Sequence, residues 1–419
     1  VKRLLLCAAA LLAASPALAE TIAIVGGKVA IGDGSQPIEA GTVVIRDGRI
    51  AAAGAGVATP AGARVIDATG KWVSPGLFVG MGPLGLVEVG GVPPSNDARG
   101  GDSPFSAAID VTPSINPRVQ PIQVTRAEGF TRAIVAPSTG KSIFAGQGAV
   151  IDLGTDMDAI TRSKAFQYIE LGEHGGEAVG GGRSGAFAFL RNALKEAQTI
   201  NVDGGFEKKL SRLDAEALVP VVTGKMPLFV HVERGSDILT VLNLPREFPS
   251  LKIVLVGASE GWTVAPQIAA AKVPVIAAGL NDLPDSFEML AATQSNVGRM
   301  KAAGVHVALR TSRSPVQEAG NLVGLSRVPG ATGLDWGSAF ATITSAPAEV
   351  IGMSNELGAL LPGRRADVVI WDGDPLEVES GVLSVYIDGV EQPLTNHMSK
   401  LRDRYRQSVE GALPKAYQR

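Results

Sequence analysis

The sequence predicts an α/β protein: a (β/α)8 TIM-like barrel with a small β-sandwich domain built from both ends of the mature chain. Three observations lead there. Short apolar runs recur through the middle of the chain, among them "RAIVAPS", "AVIDLG", "PLFVHVE", "KIVLVGA", "VPVIAAG" and "VHVALRT". Helix-patterned segments lie between them, which suits a parallel sheet buried on both faces. That alternation fills about 250 residues, the size of a (β/α)8 barrel. Both flanks of it carry alternating strands with tight-turn residues.

The elements follow in order. Lys2 and Arg3 make a short positive region, "LLLCAAALLAA" an apolar one too short to span a bilayer, and Ala17-Leu18-Ala19 a small-x-small cleavage site. Residues 1–19 therefore read as a signal peptide, and a mature chain from Glu20 as periplasmic or secreted. The one cysteine, Cys7, falls within that signal, so neither a disulfide nor thiol catalysis is expected afterwards. Residues 20–75 read as the first part of the sandwich, with strands broken by Gly-Gly, Asp-Gly and Thr-Gly. The barrel is expected over 76–354. Its helices include "GAFAFLRNALKEAQTI" and "LDWGSAFATITSAPAEVIGM". Residues 355–396, with "ADVVIWDGDPL" and "VLSVYIDGVEQPL", supply the second part of the sandwich. A polar helix or tail over 397–419 ends the chain.

Composition removes several function classes. Hydrophobic residues are 45% and charged ones 19%, so a large core is expected and disorder is not. The net charge of −3 gives no basic surplus for nucleic acid or an anionic membrane. Aromatic residues, at 5%, are too few for a base- or sugar-stacking surface. No later apolar run reaches the length of a membrane span.

Several stretches resemble the amidohydrolase superfamily, in its imidazolonepropionase-related branch. "GGKVAIGDG" and "GTVVIRDGRIAAAG" are similar to that family's N-terminal sheet, and "VIDATGKWVSPGLFVG" to its lead into the first barrel strand. "RAEGFTRAIVAPSTGKSIFAGQGAVIDL" resembles its early barrel. "SAPAEVIGMSNELGALLPGRRADVVIWDGDPLEVESGVLSVYIDG" resembles its C-terminal signature. The resemblance implies one or two divalent metals such as zinc at the strand ends, which lower the pKa of a bound water for attack on an amide or ring carbonyl.

It also implies a ligand set, which this chain meets only in part. The His-x-His after strand one falls on Met81 and Pro83. The strand-five histidine falls on His231, and the strand-six one on Gly257. The strand-eight aspartate falls on or near Arg313, and the strand-four position on Glu173. No histidine precedes His174, none lies between His231 and His306, and no aspartate lies between Ser286 and Leu334. A catalytic zinc takes three protein ligands of His, Asp or Glu type. Thioether, proline and glycine are no substitutes, and a guanidinium repels a dication. No cofactor is therefore expected.

Other constellations have two readings each. "GASEG" (Gly257–Gly261) matches the nucleophile elbow G-x-S-x-G, with Ser259, Asp285 and His306 in hydrolase order; the alternative is a loop serine on a barrel. "VAPSTGKS" echoes a phosphate loop, but "IFAGQGAVIDL" after it reads as strand, so a turn explains it. His231 and Glu233 are an acid/base pair or a hydrogen-bonded relic in the mouth. Glu173 shares that ambiguity. Arg310 and Arg313 supply fixed cations for a carboxylate ligand or are solvated loop residues.

The functional expectation is an exported amidohydrolase-family protein, nominally a hydrolase of non-peptide C–N bonds. With a degenerate metal site, its catalysis is weak, metal-independent or lost. Catalytic candidates are His231, Glu233 and Glu173; binding candidates are Arg310, Arg313 and Ser259. The ligand is a small molecule or peptide fragment. Alternatives are an active cyclic-amide or dipeptide-like hydrolase with a reorganised centre, or an accessory subunit of an intact homologue. Pairing as a homodimer or with that homologue is part of the expectation.

Overall fold

The computed structural model describes residues 20–99, 101–201, 208–310 and 314–406. The predicted signal segment, Arg313 and residues 407–419 lie outside the described residues. Two sheets organise the rest. The smaller is mainly antiparallel and takes strands from both ends of the chain: Ile22–Val29, Ile38–Arg46, Arg49–Gly54, Arg64–Asp67, Trp72–Pro75, Val368–Trp371, Val382–Ile387 and Val390–Gln392. Its Asp-Gly turns are where the sequence puts them. Asp47 and Gly48 both have positive φ (54° and 70°), as do Asp388 and Gly389 (50° and 78°). Two successive positive φ values make the tight hairpin whose twist matches the flanking strands. The ends are stitched by Trp72–Pro75 pairing with Val368–Trp371, Trp72 opposite Trp371. Ile24, Val43, Ile45, Val73, Val368 and Tyr386 fill the apolar face.

The larger sheet is a nearly closed barrel of eight strands. In chain order they are Leu77–Gly82, Phe130–Val135, Phe144–Asp152, Ile160–Glu170, Leu228–Val232, Ile253–Gly257, Val275–Ala277 and Val307–Leu309. Seven run one way. The third runs against both neighbours, so short loops join strands two to four where helices were expected. The first and eighth strands do not pair. The segment between them closes the seam with its backbone: the Ile343 carbonyl accepts the Phe78 N–H and the Thr342 carbonyl the Leu309 N–H, both at 2.9 Å. Inside, Phe166 and Phe229 stack with ring centroids 4.1 Å apart. Both are fully buried, each worth ~1.5–3 kcal/mol of transfer free energy. Among the described residues no helix is long and apolar enough to cross a membrane.

One buried cation joins the sheets. Arg132, on the second barrel strand, is completely buried. Its guanidinium takes both oxygens of Asp367 at 2.6 and 2.9 Å, and Asp388 at 2.9 Å. Thr161 Oγ1 accepts a further bond at 2.9 Å. Burial works against the charge, but the two aspartates outweigh it and the guanidinium's pKa is raised. The junction is thus held in one register by a paired, hydrogen-bonded charge.

Candidate functional site at the barrel mouth

The C-terminal ends of the barrel strands carry the polar side chains. Residues i and i+2 of a strand share a face, so Tyr168 and Glu170 project together from strand four, as do His231 and Glu233 at the end of strand five. The parallel register sets His231 opposite Glu170 on one side and Val256 on the other. The Nδ1 of His231 lies 2.5 Å from Glu170 Oε2, and its Nε2 2.9 Å from Glu233 Oε1. The second oxygen of Glu170 accepts the Tyr168 hydroxyl. The second oxygen of Glu233 accepts the Ser259 backbone N–H at 2.8 Å. The result is a continuous row of Tyr168, Glu170, His231, Glu233 and the strand-six turn.

This row fixes the charge states. Burial disfavours the imidazolium, but hydrogen bonds and charge from Glu170 and Glu233 outweigh it, and the His231 pKa is raised to about 10. Burial also disfavours both carboxylates, and the bonds to His231 more than offset it, so both pKa values are lowered. Burial and the charge of Glu170 raise the Tyr168 pKa well above the usual phenol range. At neutral pH the row is a neutral phenol and a carboxylate–imidazolium–carboxylate triad. Both ring nitrogens of His231 are engaged as donors.

The neighbouring positions explain how the row fits. Gly257 ends strand six with φ +87°, and a Cβ placed there would lie 2.4 Å from Glu233 Oε1. The Glu233 carboxylate therefore occupies the space a strand-six side chain would need. Met81 packs against Phe78 and Phe166 and also lines the mouth cavity, where it offers only a thioether. Pro83 follows strand one and lines a cavity of about 580 Å3 in the mouth. Tyr168, Glu170, Arg310 and the loop 136–141 also line it, with Arg99, Asp102 and His174.

Of the residues singled out in the sequence, the fold brings together His231, Glu233, the Ser259 backbone and, in the cavity wall, Arg310. It does not bring Glu173 to His231. Glu173 lies in the helix Gly172–Ala178, its N–H bonded to Glu288 at 2.9 Å and its carboxylate 3.4 Å from Arg183. The strand-four carboxylate beside the imidazole is Glu170, three residues earlier. Glu170 and Tyr168 were missed because strand four opens on the polar "ITRSK" and has a left-handed Lys164 (φ 46°), so it shows no apolar run. The usable signal was spacing: tyrosine and glutamate at i and i+2, matching His231 and Glu233. Ser259, Asp285 and His306 form no triad. Ser259 is buried beyond strand six, whereas His306 precedes strand eight at the other end of the barrel, exposed and 3.4 Å from Glu349. The phosphate-loop echo is a strand-to-strand turn, as its sequel implied.

Comparison with known proteins matches part of the chain to a family. The amidohydrolase family's sequence profile matches residues 236–401. The chain is 24% identical over 376 residues to amidohydrolase tasK of Hapsidospora irregularis, covering 80% of this chain and 37% of that protein. It thus spans little more than a third of that relative's length. It is 25% identical over 385 residues to imidazolonepropionase of Maricaulis maris, covering 84% and 92% of the two chains. Among solved structures, an amidohydrolase from Thermotoga maritima superposes with a TM-score of 0.77 at 24% identity, over 88% of this chain and 99% of that one. Molinate hydrolase follows at 0.53 and 20%, over 90% and 95%. At such identities the structural likeness carries the fold alone.

Proposed function

Because the chain belongs to the amidohydrolase superfamily, whose members generally use divalent metals, we propose that it departs from them at the metal. It is an amidohydrolase-fold protein in which a carboxylate–imidazolium–carboxylate triad stands where the metal centre would be. It binds a small molecule in the barrel mouth, and hydrolysis of C–N bonds is weak, metal-independent or lost. The observation that carries this reading is the double engagement of His231: a metal ligand needs a free ring nitrogen, and both point at carboxylate oxygens.

The donor set supports it. Met81 offers the mouth only a thioether, Pro83 has no side-chain donor atom, and the space beside Gly257 is filled by Glu233. Glu170 and Glu233 spend their charge on the imidazolium. Among the described residues no group of three or more His, Cys, Asp or Glu is arranged to hold a metal ion. The residues present do not fit a catalytic zinc, which takes three such ligands. A second reading, a metal-independent hydrolase, draws on one observation. Tyr168 and Glu170 face the cavity, within the same bonded row as His231, and so offer a route for a proton.

The test is elemental analysis of the purified protein after supply of zinc, manganese and iron in turn. Less than about a tenth of an equivalent is expected; about one or two equivalents, removable by chelator with loss of stability, would refute the triad reading. Amide and cyclic-amide hydrolysis by the chelated protein, abolished in Glu170→Gln, would select the second reading.

A further inference from the structure

Resting on the metal-free reading of the mouth, we propose that Arg310 is an anion-recognition residue and that the cavity takes a small molecule bearing a carboxylate, gripped by the Arg310 guanidinium. Arg310 directly follows strand eight, and its backbone N–H is fixed to the Ala277 carbonyl at 2.8 Å. The base of the side chain is therefore anchored by the sheet. The residue is half-buried and lines the cavity, yet among the described residues its guanidinium has no hydrogen bond or ion pair. None of its nitrogens is a buried, unpartnered atom, so solvent reaches the N–H donors and a ligand with paired acceptors can take them over.

The obvious internal acceptor is already engaged. Glu170 feels the charge of Arg310, but one of its oxygens takes the Tyr168 hydroxyl and the other the His231 ring. The triad carries one surplus negative charge, which Arg310 balances without contact. Across the cavity Lys141 is tied to Asp102 at 2.7 Å. Arg99 bridges to Ser138 through its backbone, but its side chain has no ion pair among the described residues, which leaves the lining one positive charge in excess. An incoming monoanion is met by a net favourable field.

The shape of the donor array selects among anions. A guanidinium presents two parallel N–H groups that match a planar carboxylate. Phosphate sites more often use a helix N-terminus or a nest of backbone N–H groups. The cavity's candidate for such a nest, the 136–141 loop, leads into a strand. A volume of about 580 Å3 suits a small organic molecule, and the Ser138 and Thr139 hydroxyls in the wall offer bonds to a second polar group.

The experiment is calorimetric titration of the intact protein with short carboxylates from acetate to adipate, each beside its uncharged amide, and with inorganic phosphate. At least one carboxylate is expected to bind about ten-fold or more tightly than its amide and than phosphate. Arg310→Gln should lose that preference while still unfolding in one cooperative transition, and Arg310→Lys should keep only part of it. Chelator should change nothing. If no carboxylate is preferred over its amide, or if Arg310→Gln keeps the preference, the inference is overturned. Failure of the inference alone appears as metal-free protein with no carboxylate preference. Failure of the underlying reading appears as carboxylate binding that survives Arg310→Gln and vanishes with chelator.

Discussion

Replacing Gly257 by alanine tests whether the strand-six ligand position has been given over to Glu233. The backbone there has φ +87°, a left-handed conformation that costs an L-residue about 1–2 kcal/mol. The new methyl would meet Glu233 Oε1 at 2.4 Å and its carboxyl carbon at 2.7 Å. These atoms are held from both sides, by His231 at 2.9 Å and by the Ser259 N–H at 2.8 Å, so the carboxylate must give up at least one bond. A hydrogen bond to a charged group contributes about 1.5–3 kcal/mol. The expected loss is therefore about 3–5 kcal/mol, a large part of a typical domain's stability. Guanidinium denaturation of Gly257→Ala, Glu233→Ala and the double variant measures it. Once Glu233 is gone the methyl has room, so the double variant should lose only the backbone strain beyond Glu233→Ala. A coupling of about 1.5–3 kcal/mol follows, the part due to the displaced hydrogen bond. A Gly257→Ala loss under about 1 kcal/mol, or strict additivity with Glu233→Ala, would refute the reasoning.

Other outcomes follow from the same contacts. Glu170→Gln removes one charge from a buried triad and should cost about 3–5 kcal/mol, while an NMR titration of His231 shows its pKa falling from about 10. The pH dependence has a definite sign. His231 is raised in the fold, so its contribution is complete below about 6.5 and lost as pH rises through about 10. Stability should therefore fall on the order of 5 kcal/mol across that range and stay flatter in His231→Asn, by denaturation at stepped pH. Glu170 and Glu233 are depressed, so their contribution is present above about 4.5 and lost as pH falls through their folded values. Arg132→Met leaves the buried Asp367 carboxylate without its cation at the sheet junction, while Asp388 keeps Arg365 at 3.0 Å; a loss of about 3–5 kcal/mol is expected, read by thermal unfolding.

Much of the architecture was legible because it rests on local chemistry. Asp47-Gly48 and Asp388-Gly389 announce their hairpins since few other pairs adopt two positive φ values in succession. Apolar strands five to eight announce a buried sheet because both faces must exclude water. Strand three was misread because its direction leaves no trace in its own residues; only the pairing partners reveal that it runs backwards. Strand four was missed for its polar opening, and with it Glu170. His231 and Glu233 were found from spacing. The lesson of Gly257 was half legible: the sequence shows that no ligand stands there, but only the fold shows that another residue's carboxylate has taken the space. Arg310 was legible as a cation, and its lack of a partner was not.

The stitching of the smaller sheet also bears on how the chain reaches this state. Trp371 bonds to Ser74 across 297 residues of sequence, and the strand Trp72–Pro75 gains Val368–Trp371 as its neighbour. During synthesis the N-terminal strands emerge first and must wait for the whole barrel before that edge is covered. Pairings of such long range form late, and an uncovered strand edge is a template for other chains. The same contacts that lock the finished molecule from end to end make its half-made form prone to aggregation, and truncation after the barrel would leave that hazard permanent.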